Sequence, residues 1–182
     1  MGKGNLFIIS GPSGVGKSTI LKEILKDENI VFSISATTRD KRANEKEGVD
    51  YFFITKKEFE NKINNNEFLE WAKVHDNFYG TPKKWVENII QTGKDVLLDI
   101  DVQGAINLKK TLDYGFFIFI MPPSIEELEK RIRNRKTETE GSLKIRLKNA
   151  KKEIAKKDMY DEIVINDVLE KAIENFKKII SN

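Results

Sequence analysis

A short stretch near the start of the chain has the composition of a loop that holds phosphate groups. It matches G-x-x-x-x-G-K-[ST] over Gly11–Ser18 and directly follows an apolar run, Leu6–Ser10, that predicts a buried strand. Glycines let backbone N–H groups turn toward an anion, and a following helix adds the positive end of its dipole. In such a loop Lys17 reaches the β- and γ-phosphates and Ser18 can bind Mg²⁺. The residues predicted to hold a nucleoside triphosphate are Gly11, Pro12, Ser13, Gly14, Val15, Gly16, Lys17, Ser18 and Thr19.

A second group of side chains suited to phosphate follows farther along the chain. Arg39 and Arg42 lie among hydroxyl-bearing residues, and Tyr51 comes shortly after them. Guanidinium and phenol groups donate hydrogen bonds that fit phosphate oxygens. Because these residues are separate from the loop, they predict a site for a second phosphate.

One further pattern points to a different class of phosphate-loop protein. Asp101–Gly104 fits the D-x-x-G of GTPases, at the end of a predicted strand where a carboxylate can coordinate Mg²⁺. The N-K-x-D pattern with which GTPases read guanine is missing, since the nearest match, Asn61–Asn64, ends without a carboxylate and precedes Asp101. A GTPase is therefore disfavoured.

The elements that must position these residues alternate between strands and helices. Buried strands are predicted at four apolar runs: Leu6–Ser10, Val96–Ile100, Phe116–Met121 and Ile163–Ile165. Apolar residues with helical spacing lie between and after these runs, and this alternation predicts a parallel sheet covered by helices on both faces.

Two segments depart from the alternation. The region from about Ser33 to Gly80 contains strand-like pieces at Tyr51–Ile54 and Phe68–Val74 and predicts a small inserted subdomain. The stretch Thr137–Gly141 separates two helices rich in lysine and arginine and predicts a mobile turn.

Local chemistry predicts two of the helix starts. Thr55 with Glu58, and Ser124 with Glu127, have the spacing of capping boxes.

Composition excludes several other functions. The chain has 182 residues, no cysteine and one histidine, His75, which excludes a disulfide scaffold, a thiolate nucleophile and a multi-histidine metal site. The longest wholly apolar run, Phe116–Met121, is far shorter than the roughly 20 residues of a membrane helix. A net charge of +3, evenly spread, does not favour nucleic acid. We expect a cytoplasmic protein that binds neither nucleic acid nor membrane, and the sequence leaves monomer or homo-oligomer open.

Several segments occur in one characteristic order along almost the whole chain: GPSGVGKST, SATTRDKR, GVDYFF, NEFLEWAKV, NFYGTP, LLDIDVQG, a PPS turn and RIRNRKTETE…LKIRL. In order and spacing they resemble the guanylate kinases. The resemblance implies an α/β phosphate-loop kinase with a parallel core sheet flanked by helices, an inserted GMP-binding subdomain and a helical lid. The implied segments are a core over 1–32, 82–124 and 159–182, a GMP-binding subdomain over about 33–81 and a lid over about 125–158.

The resemblance also implies an activity and its participants. It implies transfer of the γ-phosphoryl group of ATP to GMP, and to dGMP, giving GDP or its deoxy counterpart in purine nucleotide metabolism. The implied cofactor is Mg²⁺, arriving with ATP and held by Ser18, phosphates and water.

Individual roles carry over by position. Arg39, Arg42, Tyr51 and Tyr79 are expected to grip the GMP phosphate. Ser35, Glu70 and Thr81 are expected to read guanine. Asp99 and Asp101 are expected between the two nucleotides, helping to place GMP and the water shell of Mg²⁺. Asn166 is expected on the adenine side of ATP. The expected catalytic cations are Lys17, Arg39, Arg135 and Arg146.

Two alternatives stay open at this stage. A related scaffold domain would use the same arginines to bind a phosphorylated partner without chemistry, but it would not need Lys17 or Arg146. A kinase of the same fold acting on another monophosphate would have no reason to combine Glu70 with Ser35 and Thr81.

Overall fold

In the computed structural model of the chain, residues 2–74, 76–134 and 139–181 are described. His75 and Arg135 therefore lie outside the described residues, as does the first part of the predicted turn at Thr137–Gly141.

Strands and helices alternate along most of the chain, as the apolar pattern predicts. The strands are β1 (Leu6–Ser10), β2 (Ile30–Phe32), β3 (Ala36–Thr37), β4 (Phe52–Phe53), β5 (Phe68–Val74), β6 (Asn77–Pro82), β7 (Asp95–Asp99), β8 (Phe116–Met121) and β9 (Glu162–Ile165). The helices are α1 (Lys17–Ile24), α2 (Lys56–Asn64), α3 (Lys83–Gln91), α4 (Val102–Thr111), α5 (Ile125–Asn134), α6 (Glu140–Ile154) and α7 (Leu169–Ile180), with a 3-10 turn at Lys157–Met159.

The larger sheet is wholly parallel, in the order β2-β7-β1-β8-β9. This confirms the predicted parallel sheet. The first strand of the chain, β1, lies in the middle, and the strands that follow it in sequence are added on both of its sides. The carboxyl end of β1 is therefore the point where strand order reverses, and in open α/β sheets ligands bind at such a point.

Both faces of this sheet are covered because successive side chains of a strand point to opposite sides. Ile8 and Leu98 pack with α3 and α4 on one face. Ile9 and Leu97 pack with α1 and α7 on the other. These strands are apolar at nearly every position for this reason, as strands buried on both faces must be.

The smaller sheet has the order β4-β3-β6-β5 and is built from the region that breaks the alternation in the sequence. Strands β3 and β4 are parallel, while β6 runs antiparallel to both β3 and β5. Phe59 of α2 is fully buried and stacks on Phe68 and Phe78, with ring centroids 4.4 Å and 5.3 Å away. This aromatic stack fastens α2 to the sheet.

A third, smaller apolar cluster joins α5 to α6 through Leu128, Ile132 and Leu143. Helix α6 begins at Glu140, after Thr139, whose hydroxyl accepts a hydrogen bond from the Ser142 N–H. The prediction of a turn through Gly141 is therefore wrong at its end, because this side-chain cap lets the helix start early enough to include Gly141.

None of the helices in the described part of the chain has the length and hydropathy that crossing a membrane requires.

The two predicted capping boxes have different outcomes. At α2, the Thr55 hydroxyl accepts from the Glu58 N–H at 3.2 Å, and the Glu58 carboxylate accepts from the Thr55 N–H at 2.8 Å, so the box is confirmed. At α5, the Ser124 hydroxyl accepts from the Glu127 N–H, whereas the Glu127 carboxylate accepts from Arg131 Nε. A nearby guanidinium thus engages the carboxylate that the box would use.

The cap of α2 provides a test of this local structure. We expect Thr55→Ala to lower the free energy of unfolding by about 1 kcal/mol, because the Glu58 N–H loses its acceptor and the Glu58 carboxylate loses the donor hydroxyl of Thr55. That change corresponds to a melting temperature lower by about 2–4 °C in a chain of this size. Thr55→Ser keeps the hydroxyl and should melt close to the wild type. Equal melting of the alanine variant and the wild type would contradict a stabilising cap.

Candidate active site

The glycine-rich loop joins the carboxyl end of β1 to the start of α1. Gly14 and Gly16 have φ angles of +91° and +94°, a backbone region that side chains disfavour. Helix α1 starts at Lys17 after Gly16, and its first turn has no side-chain cap among the described residues. Since the first N–H groups of a helix have no partner within it, they are available to an anion.

The loop is held in this shape from outside. Val15 is buried, and its carbonyl accepts a hydrogen bond of 2.8 Å from the amide nitrogen of Asn166, which is itself buried. The carbonyl of Asn166 in turn accepts from Arg131 Nη1 at 2.8 Å. Asn166 was expected on the adenine side of ATP. Its contact with the loop, and the part played by Arg131, have no signature in the sequence because the partners are far apart along the chain.

The cationic and acidic residues predicted around the loop come together beside it. Lys17 forms an ion pair with Asp99, at the end of β7. Asp101 caps α4 by accepting a hydrogen bond of 2.7 Å from the Gly104 N–H. These carboxylates and the residues from Gly11 to Ser18 line a cavity of about 440 Å³.

Glu153 lines the same cavity and was missed by sequence reasoning. Burial, and secondarily the charge of Asp101, raises the pKa of its carboxyl, while Lys17 opposes the shift. Glu153 follows Arg146 by seven residues on α6, which is two helical turns and therefore the same face. That spacing is the signal that could have found it.

Helix α6 also brings a predicted catalytic cation to the loop. Arg146 Nη1 donates to the hydroxyl of Ser13 at 3.2 Å. Arg146 thus contacts the loop, as a group that acts on a bound phosphate must.

The residues expected to grip a second phosphate meet on the smaller sheet. The Arg39 guanidinium lies over the Tyr51 ring, 5.5 Å from its centroid, and the Tyr51 and Tyr79 rings contact each other edge to face at 6.0 Å. Arg39 forms an ion pair of 2.7 Å with Glu45, and this contact raises the pKa of the guanidinium. Glu45 also accepts the backbone N–H of Arg42 at 2.9 Å, so both predicted arginines are next to it.

The residues expected to read a base lie nearby on neighbouring strands. Thr81 of β6 donates from its hydroxyl to the Glu70 carboxylate of β5 at 2.7 Å. Burial raises the pKa of Glu70, and the negative charge of Asp101 raises this pKa further. The hydrogen bond from Thr81 lowers the pKa and so opposes both effects. Strand β5, which carries Glu70, contacts α4, and Asp101, the cap of α4, lines the loop cavity. Ser35 lies just before β3, where its carbonyl accepts from the Phe52 N–H.

A larger cavity, of about 1120 Å³, lies at the opposite edge of the core sheet, where β1 and β8 begin. Its lining residues include Asn5, Tyr114 and Ile179, and it contains none of the predicted site residues. The predicted charged and glycine-rich residues therefore line the smaller of these two cavities.

A parallel sheet of this strand order, with a glycine-rich loop between β1 and α1, defines a phosphate-loop nucleotide-binding protein. The family model for guanylate kinase matches residues 3–182. The chain belongs to the guanylate kinase family.

Individual relatives agree over nearly the full length. The chain is 52% identical to the guanylate kinase of Clostridium tetani, covering 100% of this chain and 87% of that protein. It is 51% identical to the guanylate kinase of Thermotoga maritima, covering 98% and 86%. A crystal structure of guanylate kinase from Anaplasma phagocytophilum superposes with a TM-score of 0.72 at 38% identity, covering 99% of this chain and 86% of that one.

The contact between the loop and Asn166 leads to a prediction about Gly16. A Cβ atom at Gly16 would lie 2.4 Å from the Asn166 amide nitrogen, on a backbone whose φ is already unfavourable for a side chain. We expect Gly16→Ala to displace Asn166 from Val15 and raise KM for ATP at least about tenfold, a loss of roughly 1.4 kcal/mol.

Gly141→Ala is the matched control, because that glycine is helical and the nearest atom to an added Cβ is 4.0 Å away. Steady-state kinetics with varied ATP, together with melting curves, distinguish the two variants. An unchanged KM for ATP in Gly16→Ala would contradict the role given to this contact.

Proposed function

We propose that the cleft beside the glycine-rich loop binds ATP and GMP together, with the site residues in the roles described below. The reaction is the ATP-dependent phosphorylation of GMP, which gives ADP and GDP. The observation that carries this assignment of roles is that two differently built subsites lie next to each other. Glu70, which accepts a hydrogen bond from Thr81, lies on β5, and β5 contacts α4. Asp101, which caps α4, lines the loop cavity.

ATP binds with its phosphates in the loop. The backbone N–H groups at the start of α1 and the Lys17 ammonium group face the β- and γ-phosphates. Lys17 is paired with Asp99, and both residues line the loop cavity. Asn166, which holds the loop at Val15, is also assigned to the adenine side.

GMP binds on the smaller sheet. Its phosphate contacts Arg39, Arg42, Tyr51 and Tyr79, whose guanidinium and phenol groups donate to phosphate oxygens. The ionised Glu70 carboxylate accepts from the N1–H and N2 amino group of guanine, while Ser35 and Thr81 complete the polar surface around the base. Adenine has no donors at those positions, so AMP would leave a buried carboxylate without partners, which is costly.

Phosphoryl transfer needs positioning and charge neutralisation more than proton transfer. The GMP phosphate has a second pKa near about 6 and is mostly dianionic at neutral pH, so no general base is required. The attacking oxygen lines up with the γ-phosphorus, and Arg146 with Arg135 neutralises charge on the transferring group. Exclusion of water as the lid closes over the nucleotides prevents hydrolysis of ATP.

The donor groups beside the loop fit Mg²⁺ that arrives with ATP. Within the described residues, no group of three or more His, Cys, Asp or Glu side chains is arranged to hold a metal ion. The hydroxyl of Ser18 and the carboxylates of Asp99 and Asp101 line the same cavity. This small set of oxygen donors fits a cation that keeps several waters and binds mainly to substrate phosphates. When bound, Mg²⁺ neutralises charge on the phosphate oxygens.

The activity is tested by measuring ADP formation from ATP and Mg²⁺ with GMP, dGMP, AMP, UMP, dTMP or no acceptor. We expect fast turnover with GMP and little with AMP or water, and we expect Lys17→Ala and Arg39→Ala to abolish turnover while the fold persists. Lys22→Ala, which removes an exposed cation of the same helix as Lys17, is the control and should keep activity. Near-normal turnover in Lys17→Ala or Arg39→Ala would contradict the assigned roles.

Two other results would each exclude a part of the proposal. A folded wild type that phosphorylates none of these acceptors would indicate a binding module. Preference for another nucleoside monophosphate would be consistent with the proposed phosphoryl transfer but would contradict the proposed recognition of guanine.

Selectivity for guanine rests on the carboxylate of Glu70. We expect Glu70→Gln to reduce the ratio of kcat/KM for GMP over AMP by about tenfold or more, because the amide nitrogen faces the guanine donors instead of accepting from them. Because burial raises the Glu70 pKa, the wild type should lose GMP affinity on acidification at a higher pH than an exposed carboxyl would allow. Comparing pH profiles of KM for GMP in the two proteins separates this effect from protonation of the phosphate itself. An unchanged GMP/AMP ratio in the variant would remove Glu70 from base recognition.

A further inference from the structure

Glu45 lies in the segment between β3 and β4, outside the residues assigned to either nucleotide. Its carboxylate makes a two-point contact with Arg39: Nη1 donates to Oε2 at 3.1 Å and Nη2 donates to Oε1 at 2.7 Å. The side chains are only 17% and 16% exposed, so this ion pair is largely shielded from water. Such two-point contacts fix the orientation of a guanidinium group, not only its distance.

The same carboxylate also fixes the backbone at the second arginine. Glu45 Oε2 accepts from the Arg42 N–H at 2.9 Å, and the Glu45 N–H donates to the Arg42 carbonyl at 3.1 Å. One side chain therefore ties the side chain of Arg39 to the turn that carries Arg42. Glu45 therefore contacts both arginines assigned to the GMP phosphate, Arg39 at its side chain and Arg42 at its backbone.

The contacts of Arg39 define which part of its guanidinium group faces a ligand. Glu45 occupies the edge formed by Nη1 and Nη2, and Nη1 also donates to the Asp40 carbonyl at 2.7 Å. The aromatic rings of Tyr51 and Phe53 lie 5.5 Å and 5.9 Å from the guanidinium carbon. The side chain of Tyr79, another residue assigned to the phosphate, also interacts with the guanidinium group. The donor edge that Glu45 leaves is formed by Nε and the other hydrogen of Nη2, and two parallel donors fit two phosphate oxygens.

We propose that Glu45 is a positioning residue for the acceptor nucleotide: it holds the Arg39 guanidinium with its Nε–Nη2 edge toward the phosphate and fixes the turn that carries Arg42. The inference rests on the proposed binding of the GMP phosphate by these arginines. Glu45 does not touch the phosphate in this arrangement. It acts by ordering Arg39 before GMP arrives, so that binding does not have to restrict a long, mobile side chain.

Electrostatics and positioning make opposite predictions for this residue. A carboxylate close to a dianionic phosphate weakens the attraction between the phosphate and its arginines. If charge alone mattered, Glu45→Gln would bind GMP more tightly. If positioning matters, the same variant binds GMP more weakly, because a glutamine amide cannot accept from both guanidinium nitrogens and directs its own donors at one of them.

The test compares steady-state constants of four proteins: wild type, Glu45→Gln, Glu45→Asp and Asp40→Asn. We expect Glu45→Gln to raise KM for GMP about tenfold or more, with kcat at saturating GMP and KM for ATP close to wild type. Glu45→Asp keeps the charge with a shorter reach and should fall between the two. Asp40→Asn removes an exposed carboxylate next to Arg39 in sequence but keeps the backbone carbonyl that Arg39 uses, so its KM for GMP should be unchanged or lower.

Inhibition by guanosine separates the phosphate from the base. Guanosine carries no phosphate, so its inhibition constant should be the same in the wild type and in Glu45→Gln. A loss of guanosine binding equal to the loss of GMP binding would overturn the proposal, since it would indicate general damage to the subdomain.

Other outcomes are equally decisive. A KM for GMP at or below the wild-type value in a folded Glu45→Gln protein overturns the inference, as does an equal rise in KM for ATP and GMP. If Glu45→Gln does not fold, Glu45→Asp decides by the same comparison: a selective rise in KM for GMP supports positioning, and an unchanged value overturns it. The inference fails separately from the proposed function if the wild type phosphorylates GMP and Arg39→Ala abolishes this, while Glu45→Gln has no selective effect.

Discussion

A loop that offers its backbone N–H groups to phosphate cannot use those groups to hold its own shape. The loop of this protein is therefore stabilised by residues from other parts of the chain. Asn166, which is buried, donates a hydrogen bond to the carbonyl of the buried loop residue Val15, and Arg146 donates to the Ser13 hydroxyl. The strand that precedes the loop is the central strand of the parallel sheet, so the loop is fixed at its base as well. The remaining features of the active site are arranged around this constraint.

Two of the cations in the candidate site are paired with carboxylates. Lys17 is paired with Asp99, and Arg39 with Glu45, so the cations that phosphate would attract are already oriented by carboxylates. Partly buried charges without partners would be costly, and paired ones keep their geometry. The same pairing reduces the net positive charge of the cleft. Phosphate binding therefore depends on the orientation of the N–H donors as much as on their number.

The two sheets carry different groups of the predicted site residues. The parallel sheet carries the loop, Asp99 and Asp101, and each of its two faces packs against an apolar cluster. The smaller sheet carries Glu70 and Tyr79, Tyr51 directly precedes its strand β4, and the stack of Phe59 on Phe68 and Phe78 gives it an apolar centre of its own. Separate hydrophobic centres allow each nucleotide subsite to keep its internal geometry if the two parts move relative to each other.

The sequence by itself determined the strands of the parallel sheet, the loop and the motifs of a family, because each of these is written in residues close together in the chain. Apolar runs such as Phe116–Met121 specify strands buried on both faces, and the glycines and Lys17 in Gly11–Ser18 specify a phosphate loop without reference to distant contacts. Tertiary structure alone decided which distant groups meet. The hydrogen bond from Asn166 to Val15 joins residues 151 positions apart, and the position of Glu153 beside Asp101 depends on how α6 packs across the cleft. Even the nearby pair of Arg39 and Glu45 depends on the turn between them. Their spacing in the sequence indicates that the two residues are close, but it does not indicate which edge of the guanidinium group the carboxylate contacts.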